Sequence, residues 1–256
     1  MGRFHQRKVT VPCAFSMRKG VKIGKNNIIS KLAIIYDNVV IGDNNFIGDN
    51  VIIYPNTKIG NYNNIFNGNI IGEYPVSSDD KYIKYDLNIC KGVEIGNNNL
   101  LHVKNIVFSG FDNKTYIGNN NKLLAENHVG HDSCITNNVT FYPRVIQGGY
   151  SIYLDNCNVG MNSTIQQKCV VGQYSMVGGN NMITKNVFPY FVNIANKIHR
   201  INKIKTSSIV NDNEIILRKI SEDFYNKKLD LNSYEIPETI KNDIELFIKN
   251  CDKFQK

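Results

Sequence analysis

Every sixth residue from Ile23 to Ile71 is isoleucine: Ile23, Ile29, Ile35, Ile41, Ile47, Ile53, Ile59, Ile65 and Ile71. Glycine follows five of them, at Gly24, Gly42, Gly48, Gly60 and Gly72, and Asn and Asp fill much of the remainder. The pattern breaks after Gly72, resumes at Ile95, Leu101 and Val107, and slips by four residues to Ile117. It then runs through Leu123, Val129, Ile135, Phe141, Gln147, Tyr153, Val159, Ile165, Val171, Val177 and Ile183, with Gln147 the polar exception. A period of six is neither the 3.6 of an amphipathic helix nor the 2 of a half-buried strand. It predicts an all-β solenoid in which each hexapeptide gives one short strand and one corner, three making a coil of 18 residues. Aliphatic side chains point inward and stack, coils lie about 4.8 Å apart, and Gly, Asn and Asp take the corners, where positive φ costs them little. Loops leave the coil at the two breaks, near 73–94 and 108–116.

The rule ends after Ile183, and Asn186-Val-Phe-Pro-Tyr190 reads as an exit turn. Beyond it, Ile215, Ile216, Leu217, Ile220 and Phe224 suit one helix. Ile240, Ile244, Phe247, Ile248 and Cys251 suit a second, amphipathic one, with Pro237 near its first turn. The expected division is a parallel β-helix over 1–190 and a small C-terminal α-helical region over 191–256.

Residues 18 apart return to the same point on successive coils. His131, Gly149 and Gln167 therefore form one column, and Asp132, Tyr150 and Lys168 another beside it. An imidazole can act as a general base near neutral pH. A glycine N–H can stabilise an oxyanion, and Asp132 can orient the neighbouring ring. His128 and His131 could instead share a metal, but the 18-residue arithmetic places no third histidine with them, so no metal site is expected.

The composition narrows the setting. Thirty Lys and Arg against 22 Asp and Glu give a formal charge of +8. The basic residues are scattered and no nucleic-acid recognition motif accompanies them; an acidic carrier protein, a nucleotide or a phosphorylated sugar suits the charge equally well, and no nucleic-acid partner is expected. The six cysteines contain no Cys-x-x-Cys pair and read as reduced, buried thiols. No run approaches the roughly 18 apolar residues of a membrane helix, so no stable membrane insertion is expected. The basic start lacks the apolar stretch of a secretory signal, which makes the cytoplasm the expected compartment.

His128-Val-Gly-His-Asp132, the unbroken spacing to Met176-Val-Gly-Gly179, Asp79-Asp-Lys-Tyr82 and Phe188-Pro-Tyr190 together resemble the UDP-N-acetylglucosamine O-acyltransferases, which catalyse the first acylation of lipid A biosynthesis, over roughly residues 20–200. The resemblance implies a left-handed parallel β-helix and a homotrimer with sites between subunits. It implies acyl transfer from an acyl carrier protein thioester to the 3-hydroxyl of a nucleotide sugar, with no cofactor. His131 matches the base, Asp132 its acidic support and Gly149 the oxyanion glycine. Asp79, Lys81, His128, Gln166 and Gln167 match residues that hold the nucleotide sugar, and Met176 and Gly179 match the region that gauges the acyl chain. The chain departs from the family where Gln166 replaces a histidine, where Tyr150 replaces another, and where the second loop is shorter. The family's basic stretch is missing as such, with Arg218 the loose substitute.

Two other functions fit the same fold. One is N-acetylation of a nucleotide-linked amino sugar from coenzyme A. The other is a non-catalytic trimeric scaffold.

Overall fold

The structure, a computed structural model, describes residues 18–75 and 90–254. Asp79 and Lys81 lie outside the described residues. Short parallel strands repeat every six residues and stack into three sheets of eight, ten and eight strands. The first contains Lys22–Ile23 and ends at Val170–Val171, the second begins at Ile28–Ile29, and the third runs from Ile34–Ile35 to Met182–Ile183. The coil is a left-handed parallel β-helix. Ile41 pairs with Ile59 and Ile47 with Ile65, so the isoleucines stack in register along the axis. All but the first two isoleucines of the pattern are buried.

The corners divide into two physical jobs. At most corners one residue takes positive φ, three places after the inward residue. Asparagine holds most of these positions, among them Asn26, Asn38, Asn44, Asn50, Asn98 and Asn120, at φ between 56° and 58°. The glycines right after the inward residue have a different reason. Gly24, Gly42, Gly48 and Gly60 are not at positive φ. A Cβ on Gly42 would meet Asn61 Oδ1 at 2.3 Å and the Gly60 carbonyl oxygen at 2.6 Å. Space, not backbone freedom, selects glycine here, which corrects the sequence expectation.

That space is filled by a ladder of side-chain oxygens, in which Asp43 N–H donates to Asn61 Oδ1 and Asn61 N–H to Asn97 Oδ1, each at 2.7 Å, and a second amide ladder runs beside it. Asn63 N–H donates to Asn45 Oδ1 at 2.8 Å, and Asn99 N–H to Asn63 Oδ1 at 2.9 Å. Asn63 Nδ2 also donates to the Gly96 carbonyl at 2.9 Å. Asn45, Asn63, Asn99 and Asn121 are buried, and the ladder satisfies corner N–H groups that strand pairing cannot reach. Partners are 36 residues apart across the first break and 22 across the second, against 18 elsewhere. Each loop therefore returns the chain to register.

The sheet does not end at residue 190. Phe191–Ile194 joins the second sheet beside Met176–Val177, and Lys197–Ile201 folds back on it antiparallel. The helical region begins only at α1 (Ser208–Asp212), followed by α2 (Glu214–Tyr225) and α3 (Glu238–Asp252). The antiparallel hairpin extends and closes the growing edge of the second sheet, a capping role that hexapeptide counting does not reveal. Leu217, Ile220, Ile240, Ile244 and Phe247 pack with Phe188 and Phe191 into a second core. Ile215, expected on the buried stripe of its helix, is 88% exposed. Among the described residues no helix is long and apolar enough to cross a membrane.

Candidate active site

The strand His128–Val129 belongs to the third sheet, and Cys134–Ile135 to the first. His131 stands on the corner between them. Tyr150 N–H donates to the His131 carbonyl at 2.8 Å, and Lys168 N–H to the Gly149 carbonyl at 3.0 Å, so the two columns expected from the 18-residue spacing are present. His128 pairs in register with Ile146, and Ile146 with Thr164.

The imidazole of His131 is held on every side but one. Its Nδ1 lies 2.9 Å from Asp132 Oδ2. The Asp132 side chain is fully buried, whereas that of His131 is 26% exposed. Phe111, Asp112 and Asn113 each donate a backbone N–H to the Asp132 carboxylate, at 2.8, 2.9 and 2.7 Å. An acceptor so placed assigns the proton to Nδ1 and leaves the lone pair on Nε2. Phe111 and Tyr150 both meet the ring edge to face, at 5.0 and 5.1 Å between centroids. Beneath the ring lies Gly149, where a Cβ would come within 2.5 Å of Nε2. Glycine is needed at 149 so that the imidazole can approach the next coil this closely. The Gly149 N–H donates to no acceptor among the described residues.

The shortened loop at the second break makes this arrangement. Its residues 111–113 wrap the Asp132 carboxylate, and the Tyr150 hydroxyl donates to Asp112 Oδ2 at 2.6 Å. Burial and that bond push the Tyr150 phenol up. Spacing alone sets Tyr150 beside Asp132 but reveals neither the Asp112 partner nor the place of Phe111. Register arithmetic loses the chain through the four-residue slip. Tyr150 and Asp132 also hold positive φ, at 60° and 56°. That conformation is uncommon for an aromatic residue.

Other expected residues spread from this point. His128 is half-buried, its ring 4.8 Å from that of Phe108. Burial, and then the neighbouring His131, hold its pKa below the usual imidazole value. Gln166 and Gln167 are exposed and line a cavity of about 340 Å³ with Lys168, Thr184, Lys185, Asn186, Tyr225 and Lys227. Met176 lies on the second sheet between Asn158 and Val192. Gly179 follows on the corner toward the third sheet, the opposite side of that sheet from His131. A single chain therefore does not bring Met176 and Gly179 to the imidazole. Arg218 is engaged by Glu214 at 2.6 Å and donates to the His199 carbonyl at 3.2 Å. Among the described residues no three His, Cys, Asp or Glu side chains are grouped to hold a metal.

Comparison with known proteins bears on the family and the fold. Residues 20–54 match the model of the bacterial transferase hexapeptide family (six repeats). The acyl-(acyl-carrier-protein)-UDP-N-acetylglucosamine O-acyltransferase of Sinorhizobium fredii is 34% identical over 76 residues, 30% of this chain and 28% of that protein. The enzyme of the same name from Nautilia profundicola is 32% identical over 138 residues, 53% of this chain and 51% of its own. The matched stretches thus span about half or less of these curated relatives. The solved structure of a UDP-N-acetylglucosamine acyltransferase from Bacteroides fragilis superposes with a TM-score of 0.77 at 31% identity. That match takes in 90% of this chain and 93% of the other, and so this chain belongs to the UDP-N-acetylglucosamine acyltransferase family.

Proposed function

We propose that the protein transfers an acyl group from an acyl carrier protein thioester to the 3-hydroxyl of a UDP-N-acetylglucosamine-like nucleotide sugar, with His131 as general base. The observation that carries this reading is the His131 corner: Nδ1 fixed on a buried carboxylate, Nε2 free, and an unused Gly149 N–H one coil away. His131 Nε2 takes the proton of the sugar hydroxyl as its oxygen attacks the thioester carbonyl. The carbonyl oxygen becomes an oxyanion that the Gly149 N–H stabilises. Collapse breaks the carbon–sulfur bond, and the imidazolium returns its proton to the leaving thiolate. The products are the 3-O-acyl sugar nucleotide and the free carrier thiol. No cofactor enters this sequence.

The cavity beside Gln166 and Gln167 supports a nucleotide sugar. Lys168, Lys185 and Lys227 line it and no carboxylate does, which suits a diphosphate. The +8 charge suits an acidic carrier protein.

The third sheet supports a trimer. Its outward positions read Ile34, Ile52, Ile70, Ile106, His128, Ile146, Thr164 and Met182 in register. Ile146 is 51% and Met182 65% exposed. An apolar stripe along the axis marks a surface for another subunit. Because this sheet separates the His131 edge from the Gly179 edge, a neighbour packed against it can bring its own Met176 and Gly179 to the imidazole. There they would gauge the acyl chain.

Purified protein assayed side by side with acyl carrier protein thioesters and with acetyl coenzyme A tests the reading. Transfer to the sugar hydroxyl from the carrier is expected. Transfer only from acetyl coenzyme A to an amine would replace it with the N-acetyltransferase reading, and no transfer from either donor would favour a scaffold.

A further inference from the structure

Gln147 is the polar residue in the otherwise apolar column of inward positions, between Val129 and Ile165 in the third sheet. Its side chain is fully buried. A carboxamide in such a place costs stability unless its donors and acceptor are all met. With the amide oriented so that they are, Oε1 accepts the Gly130 N–H at 3.0 Å and Nε2 donates to the Gly148 carbonyl at 3.1 Å. Ser133 Oγ lies 3.2 Å away. Gly130 and Ser133 bracket the His131–Asp132 turn, and Gly148 precedes Gly149.

The backbone leaves room for this stitch. At the same point of other coils the N–H joins the strand ladder: Gly148 donates to the Ile165 carbonyl at 2.9 Å and Gly160 to that of Val177 at 2.8 Å. Gly130 makes no such bond to the Gln147 carbonyl among the described residues. The coils also approach closely here, since a Cβ on Gly130 would lie 2.7 Å from Gly149 N.

We propose that Gln147 is a positioning residue: its buried carboxamide ties the Gly130 N–H to the Gly148 carbonyl and so sets the His131 turn against the Gly149 turn. It touches no substrate. It acts by fixing the distance between the base and the oxyanion N–H, which lie on different coils. The kinetic part of this inference rests on the acyltransferase reading above, while the structural part does not.

Gln147→Leu and the isosteric Gln147→Met test it. Both replace the amide with an apolar side chain like those the column carries elsewhere but leave the Gly130 N–H and the Gly148 carbonyl without that partner, so a modest drop in Tm with the fold retained is expected. A purely structural role would lower Tm in the same way but leave kcat per folded protein unchanged, and that result would overturn the proposal. Positioning predicts a kcat about 10- to 100-fold lower with KM within about twofold of the parent. It also predicts that the His131 imidazole, a single sharp 1H–15N signal in the parent protein, broadens or doubles in both variants. Parental kcat in both variants overturns the inference and leaves the acyltransferase reading intact. If the parent protein itself transfers nothing, that reading fails alone, and an unchanged or altered imidazole signal still decides the role of Gln147.

Discussion

Single residues at the His131 corner carry separable loads. His131→Ala removes the base and is expected to lower kcat by about 10²- to 10⁴-fold with the fold retained, as judged by circular dichroism. Unchanged turnover would remove His131 from the mechanism. Asp132→Asn is a sharper probe. Asparagine is the commonest occupant of that left-handed corner position in this chain, so the backbone accepts it. The charge that supports the imidazolium is lost and one acceptor oxygen becomes an NH2 group facing N–H donors, so kcat should fall, and Tm with it, while circular dichroism shows the coil retained. Tyr150→Phe frees Asp112 and loosens the loop over Asp132. A kcat drop of about tenfold, read against an unchanged Tm, is expected from the poorer alignment.

His128 gives a stability signature. Its pKa in the folded protein lies below the unfolded value of about 6.5. The unfolded chain therefore binds more protons below that pH, and stability falls as pH drops from about 6.5 through the folded pKa. Thermal unfolding of His128→Phe should show a flatter slope between pH 7 and 5 than the parent. At this scale the sequence revealed the column of His131, Gly149 and Gln167 because stacking is arithmetic. It could not reveal Phe111 and Asp112, because the slip after Val107 leaves no register to count along.

At the scale of elements, glycine and asparagine are paired across coils. Gly42→Ala would push a methyl group into Asn61 Oδ1 and the Gly60 carbonyl. A loss of about 1–3 kcal/mol in chemical denaturation is expected from the overpacking. Gly179→Ala, where the nearest atom would be Met161 O at 3.3 Å, should cost far less. Equal losses at both positions would show that backbone freedom, not space, decides glycine. The hexapeptide period was plain in the sequence because nearly every strand of the coil is two or three residues long and buries the same position. The sheet edge near residue 190 was not, because the hairpin of Phe191–Ile194 and Lys197–Ile201 follows no six-residue rule. The exposure of Ile215 was hidden for a related reason. Helical periodicity gives a stripe, but the body it packs against decides which flank is covered.

For the whole molecule, the outward stripe of the third sheet makes assembly and catalysis one question. Ile52→Asp lies three coils from His128 along that stripe and touches no group of the proposed site. Sedimentation should show it as a monomer, and its activity should vanish with the trimer if the site is shared between subunits. A fully active monomer would place the whole site within one chain.

The stacked register has a further outcome for the length of the chain. Asn38 and Asn56 occupy equivalent corners at φ 57° and 62°, one full turn apart. Joining Asp37 directly to Asn56 would excise one winding and splice like to like. The shortened rod would meet the same neighbours at every remaining level, and the chemistry at its far end would not register the loss. The stretch before Gly72 is thus a spacer measured in whole windings, one whose extent can change without redesigning what it holds up.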